Sequence, residues 1–187
     1  MSQHSQETEI KLTVSDAASA RSVLRRAGFR VIRPRVFEAN TVFDTDKLVL
    51  RKSSRLLRVR IAGRKTTLTY KGKPLGGRHK SREEIELELP GPERISSILE
   101  RLDYRPVFRY EKYRTEFAQP RRAGVAVLDE TPIGVYLELE GTEHWIDRTA
   151  RRLGFAEKDY ITASYGRLYL EWCKAHRQKP SDMVFRR

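Results

Sequence analysis

The chain has 187 residues, 39% hydrophobic and 34% charged, which is enough for one packed domain and short for two. A net charge of +13 calls for a polyanionic partner, whether nucleic acid, an anionic membrane or a small phosphorylated substrate. Cys173 is the sole cysteine, which excludes an intrachain disulfide and a cysteine-rich metal site; with no apolar run of membrane-spanning length and no signal-peptide core, the chain reads as soluble and cytoplasmic.

Glu7 to Val14 alternates with period two, so Ile10, Leu12 and Val14 share one face of a strand and Glu7, Glu9, Lys11 and Thr13 the other. Ser15 is placed to cap a helix from Asp16 to Ala27, with Gly28 just past its end. Phe29 to Thr45 reads as extended chain broken by Pro34, and Asp44-Thr45-Asp46 as a turn or short helix. Arg55 to Ala62 and Lys65 to Lys71 form a hairpin about Ala62-Gly63-Arg64, with Arg58 and Arg60, and then Lys65, Thr67, Thr69 and Lys71, facing away from the apolar residues.

Gly72 to Lys80 reads as a basic loop, and Arg82 to Leu89 as a strand that sets Arg82, Glu84, Glu86 and Glu88 opposite Ile85, Leu87 and Leu89. A helix follows over Glu93 to Leu102, then strands over Val107 to Phe117, Val125 to Glu130 and Val135 to Glu140, and helices over Thr142 to Leu153 and Ile161 to His176. Gln178 to Arg187 reads as a loose basic tail, leaving residues 1–177 as the single domain. About eight strands joined by hairpins or single helices predict an α+β fold: an eight-stranded antiparallel β-barrel with helices packed outside. Strand after strand gives one face to charges of both signs; if the apolar faces go to the helices, the charges line a tunnel.

Two clusters carry chemistry. Glu7, Glu9, Glu138, Glu140 and Asp129 are acidic, and carboxylates two apart on a strand face repel, so holding them together calls for a hard cation such as magnesium or manganese. Any single Glu-x-Glu is more economically a solvated strand face. Lys11, Arg58, Arg60, Lys71, Lys112 and Arg114, with Lys65 and Arg82 as additions, suit a chain of phosphates better than one phosphate. The histidines His4, His79, His144 and His176 receive no role. Tyr165 and Ser164 are weak candidates for a tunnel mouth, with packing the default for that helix.

In chain order, Glu7-Thr-Glu9-Ile-Lys11, Phe43-Asp44-Thr45, Leu57-Arg58-Val59-Arg60, Leu68-Thr69-Tyr70-Lys71-Gly72, Arg82-Glu83-Glu84-Ile85-Glu86, Tyr110-Glu111-Lys112-Tyr113-Arg114, Leu128-Asp129-Glu130-Thr131, Leu137-Glu138-Leu139-Glu140-Gly141 and Ser164-Tyr165 resemble the CYTH or triphosphate tunnel metalloenzyme superfamily. That superfamily includes class IV adenylate cyclases and thiamine triphosphatases, and the bacterial and archaeal cyclase-like proteins are the most similar subgroup. The His-Phe pair found upstream of the signature in some members is absent, since Ser5 follows His4.

The resemblance implies Glu7, Glu9, Asp129, Glu138 and Glu140 near magnesium or manganese, and Lys11, Arg58, Arg60, Lys71, Lys112 and Arg114 on phosphates. Lys11, Glu7 and Glu9 are the implied catalytic set; Lys65, Arg82, Glu84 and Glu86 line the tunnel. The implied partner is a nucleotide or inorganic triphosphate, with no membrane, no nucleic acid, and a homodimer left open. The leading reaction is ATP to cyclic AMP and pyrophosphate, by attack of the 3′-hydroxyl on the α-phosphate. Hydrolysis of tripolyphosphate, thiamine triphosphate or a nucleotide is the alternative. A non-catalytic binder of polyphosphate or RNA ends ranks last, because it leaves the acids unexplained.

Overall fold

The computed structural model describes residues 5–120 and 123–186. The strands are β1 (Ser5–Val14), β2 (Arg30–Asp44), β3 (Leu56–Ala62), β4 (Lys65–Lys71), β5 (Lys80–Leu89), β6 (Arg105–Ala118), β7 (Gly124–Thr131) and β8 (Gly134–Gly141). Between and after them lie helices α1 (Ala17–Arg26), α2 (Val49–Lys52), α3 (Pro92–Arg101), α4 (Glu143–Arg152) and α5 (Tyr165–Ala175), with a turn of 3₁₀ helix at Glu157–Asp159. All pairings are antiparallel and the order β1-β5-β4-β3-β2-β6-β7-β8 closes on itself, so the expected eight-stranded barrel with outer helices is the fold. No described helix is long and apolar enough to cross a membrane.

The apolar core lies outside the barrel wall. Ile10 and Leu12 of β1, Ala126 and Leu128 of β7, and Leu137 and Leu139 of β8 are packed beneath Ala20 and Leu24 of α1 and Trp145, Ile146 and Ala150 of α4. Each such aliphatic side chain contributes about 1.5–3 kcal/mol when fully buried, so the wall is stabilised from outside and its inner face is free to carry charge. Gly124 permits the closest approach: a Cβ there would meet the Trp145 ring at 2.5 Å. A second cluster gathers Tyr110, Tyr136, Tyr165, Tyr169, Cys173 and Met183, and a third joins Phe43 and Val59 to Leu99 of α3.

Four local expectations differ in detail. Asp16, not Ser15, caps α1: its carboxylate accepts from the Ser19 N–H at 2.8 Å, while the Ser15 hydroxyl donates to Asp16. The short helix after Asp44 begins only at Val49, and the Asp44 carboxylate accepts from the N–H groups of Thr45, Leu50 and Arg51. Strand β5 starts at Lys80, before Arg82, because Lys80 pairs with Glu9 of β1. Helix α5 begins at Tyr165 with Ser164 as its cap, since Ile161 instead exchanges backbone hydrogen bonds with Lys11 at 2.8 and 2.9 Å.

The segment around Met183 is not loose. Met183 is 1% exposed, its N–H donates to the Arg109 carbonyl and its carbonyl accepts from the Glu111 N–H, both at 2.9 Å. One large apolar side chain and an open stretch of β6 edge outweigh the polar composition of this segment.

Candidate functional site

The inner face of the barrel surrounds a cavity of about 1010 Å³ whose lining includes Glu7, Glu9, Lys11, Arg58, Arg60 and Lys71. Lys80, Arg82, Glu84, Glu86, Lys112, Arg114, Glu138 and Glu140 complete the charged lining. Period-two alternation in β1, β3, β4, β5, β6 and β8 puts all of them on one side of the wall. Lys65 is a correction to the expected lining: it sits at the β3–β4 turn, 65% exposed, paired with the exposed Glu88.

Carboxylate oxygens of Glu7, Glu9 and Glu140 lie within 4.8 Å of one another. Their register explains the meeting, since Glu9 pairs directly with Glu140 across β1–β8 and Glu7 precedes it on the same face. Glu7 is paired with Lys71, and Glu9 accepts from Lys80 at 2.7 Å and Lys11 at 3.3 Å. Burial would raise the Glu9 carboxyl, but Lys11, Lys80 and Lys71 together hold it well below the usual carboxylate range. Glu140 has no ion pair among the described residues. Burial, and then the charges of Glu138, Glu7 and Glu9, push its carboxyl up to about 8 against the pull of Arg114. An all-oxygen donor set in which one carboxyl has no cation of its own fits a hard divalent cation.

Asp129 and Glu138, expected beside this trio, have their oxygens occupied elsewhere. Asp129 is fully buried and accepts from Lys112 at 2.7 Å, from Arg114 at 2.8 and 2.7 Å, and from the Tyr165 hydroxyl at 2.7 Å. Burial would raise its carboxyl, yet Arg114 and Lys112 hold it down to about 2. Glu138 bridges Arg114 at 2.5 Å and Lys11 at 3.1 Å. Both clamp neighbouring cations through these contacts. Burial opposes the Lys11 charge, but Glu138 and Glu9 raise its ammonium above the usual range.

The arginines of β3 are aimed by partners of their own. Arg58 donates to the Tyr110 hydroxyl at 3.0 Å and to Thr69 at 3.2 Å, and Arg60 pairs with Glu86 at 2.9 Å. Lys71 contacts Glu84 at 3.1 Å. Burial and neighbouring Glu7 push the Glu84 carboxyl up to about 7 against Lys71.

Sequence reasoning missed three members of this array. Glu38 on β2 is buried 3.6 Å from Lys112 and 3.8 Å from Arg60; burial works against its charge, but Lys112, Arg114, Arg60 and Arg58 keep its carboxyl at about 2. In the sequence it stands as a lone acid between Phe37 and Ala39 in extended chain, with no sustained alternation to mark it. Lys80 falls within the expected loop, and Tyr110 stands in the sequence only as the first residue of Tyr110-Glu111-Lys112-Tyr113-Arg114. Burial and the nearby Lys11 charge bring the Lys80 ammonium down to about 8, with Glu9 opposing. Tyr165 reaches the site from α5, its ring 5.3 Å from the Lys11 ammonium and 5.1 Å from that of Lys112. His79 lies outside the barrel, bonded to Asp147 of α4 at 2.8 Å, and His4 falls outside the described residues.

Comparison with known proteins adds the following. The family model described as CYTH domain matches residues 5–184. A Methanocaldococcus jannaschii protein named "Putative adenylate cyclase" is 28% identical over 134 residues, covering 72% of this chain and 75% of its own. A Pyrococcus horikoshii protein of known structure superimposes with a TM-score of 0.74 at 24% identity, over 85% of this chain and 96% of the other. A Hippeastrum protein, described as a "Putative adenylyl cyclase" that reveals a dominant triphosphatase activity, superimposes with a TM-score of 0.64 at 20% identity, over 91% and 96% of the two chains.

Proposed function

Since this chain belongs to the CYTH domain family, we propose that it is a metal-dependent enzyme acting on a triphosphate held inside the barrel, with ATP to cyclic AMP and pyrophosphate as its leading reaction. The observation that carries this reading is the meeting of Glu7, Glu9 and Glu140 within 4.8 Å, beside a lining of lysines and arginines. Carboxylates gain nothing by facing an anion unless a cation lies between them. Those three glutamates would hold magnesium or manganese, which when bound supplies neutralisation of phosphate charge and polarisation of the phosphorus–oxygen bonds.

The remaining work belongs to the protein. Lys11, Lys71, Lys112 and Arg114 supply charge along the phosphate chain, while Arg58 and Arg60 supply forked donors fixed by Tyr110 and Glu86. In the leading reaction the 3′-oxygen bonds to the α-phosphorus as the α–β bridging bond breaks, and the pyrophosphate that leaves carries away the hydroxyl proton. Orientation and charge stabilisation suffice, with no covalent intermediate. Hydrolysis at the terminal phosphate is the second reading: the same grip serves it, and the Hippeastrum protein sharing this fold carries that description.

Phosphorus NMR separates the readings when the protein is incubated with ATP or tripolyphosphate and magnesium or manganese. Cyclic AMP with pyrophosphate identifies a cyclase, orthophosphate a hydrolase, and unchanged spectra with both substrates defeat the enzymatic reading. The grip has its own test. Replacing Arg58 and Arg60 together by Ala is expected to weaken tripolyphosphate binding at least about 100-fold by titration calorimetry, given about 1.5–3 kcal/mol per charged hydrogen bond. Unchanged binding removes the phosphates from the barrel.

A further inference from the structure

The charged lining accounts for only part of the cavity. Along β6, the inward side chains change from Arg114 and Lys112 to Tyr110 and then Phe108, and Phe108 is paired with Val42 across the β2–β6 ladder. Val42, Val107, Phe108, Tyr169 and Leu170 line this end of the same cavity, together with Pro180. The volume of about 1010 Å³ lies at the top of the roughly 300–1,000 Å³ typical of sites for organic ligands. A phosphate chain has no use for apolar and aromatic walls.

The outer part of this end is built by the last residues of the chain. Strand β7 pairs with β6 only from Tyr113 onward, and the segment around Met183 takes the vacant edge beside Arg109 and Glu111. That docking brings Pro180, Ser181 and Asp182 to the cavity rim. The Arg109 N–H donates to the Asp182 carboxylate at 2.8 Å, and the Tyr169 hydroxyl donates to the Asp182 carbonyl at 3.2 Å. The rim therefore holds a fixed carboxylate next to an aromatic wall.

We propose that this end of the cavity is the subsite for the organic group of the triphosphate, a flat heteroaromatic ring bearing N–H donors, and that Pro180–Asp182 forms its specificity-determining wall. The inference rests on the triphosphate reading above and adds which substrates that grip serves. The ring lies along the apolar face of Phe108 and Leu170, and the Asp182 carboxylate accepts from the ring's N–H at the rim.

Two variants of the full protein test it, by calorimetric titration of ATP and of inorganic tripolyphosphate with a chelator present so that neither turns over. Ser181→Trp fills the subsite from an exposed position and leaves the docking of Met183 in place; a chain ending at Lys179 removes the wall. Each is expected to weaken ATP binding by about tenfold or more while tripolyphosphate affinity stays within about twofold. An equal loss for both ligands makes the segment a structural support only and overturns the proposal. No change for either ligand also overturns it. Failure of the unaltered protein to bind tripolyphosphate even with magnesium or manganese in place of the chelator defeats the triphosphate reading itself, and with it this one. Should the shortened chain fail to fold, Ser181→Trp decides the matter alone.

Discussion

Replacement of Glu140 by Gln is expected to leave a protein that is more stable without metal and nearly inactive with it. Glu140 has no ion pair of its own among the described residues, so the substitution leaves the pairs of Lys11, Lys71 and Lys80 in place. Its carboxyl is pushed up to about 8 by burial and by Glu138, Glu7 and Glu9. A group whose folded value lies above its unfolded one contributes stability that is complete below the unfolded value, near the ordinary 4.5, and is lost as pH rises through the folded value. Gln cannot ionise and avoids that loss.

In chelator, the melting temperature of Glu140→Gln should therefore exceed that of the parent by a margin that widens between about pH 4.5 and about pH 8 and levels off above, with about 1 kcal/mol corresponding to roughly 2–4 °C at this size. Activity should fall by about 10²–10³, the usual cost of removing one preorganised charged group from a reacting site. Added magnesium or manganese should raise the melting temperature of the parent and not of the variant. A variant that keeps parental activity removes the cation from this trio.

The second large effect is structural. Asp129→Ala should destabilise the protein by about 3–5 kcal/mol, because it leaves Lys112 and Arg114 buried with too little negative charge. At roughly 2–4 °C per kcal/mol, the fall in melting temperature is about 6–20 °C. Tripolyphosphate should raise the melting temperature of the variant more than that of the parent, since it restores the missing charge. A melting temperature within about 2 °C of the parent, combined with weakened magnesium or manganese binding, would return Asp129 to the metal site.

Asp129 also shows where sequence reasoning stops. Period two places it on the inner face, but its level in the barrel is set by the β6–β7 register that pairs it with Arg114, and register is a property of two strands. The Glu7–Glu9–Lys11 face was legible because one strand carries all three at alternate positions. Glu38 was hidden for the opposite reason: β2 carries Pro34 and slips register between Val31 and Arg33 and again between Arg33 and Val36, which breaks the alternation that would have exposed it. Lys80 was lost because His79-Lys80-Ser81-Arg82 has no apolar partner positions to reveal a strand. The closed barrel and outer helices, by contrast, follow from amphipathic alternation repeated in most strands.

Turning the apolar faces outward has a consequence for ligand binding. An anion entering this barrel meets cations that are already engaged: Arg60 is held by Glu86, Lys112 by Asp129, and Lys11 by Glu138 and Glu9. Binding is therefore an exchange of counter-ions within the barrel, and its free energy is the difference between two sets of ion pairs. Resident carboxylates that hold the cations in register also compete with every incoming phosphate. A cation bound by the glutamates relieves that competition, so metal and triphosphate should each tighten the other's hold.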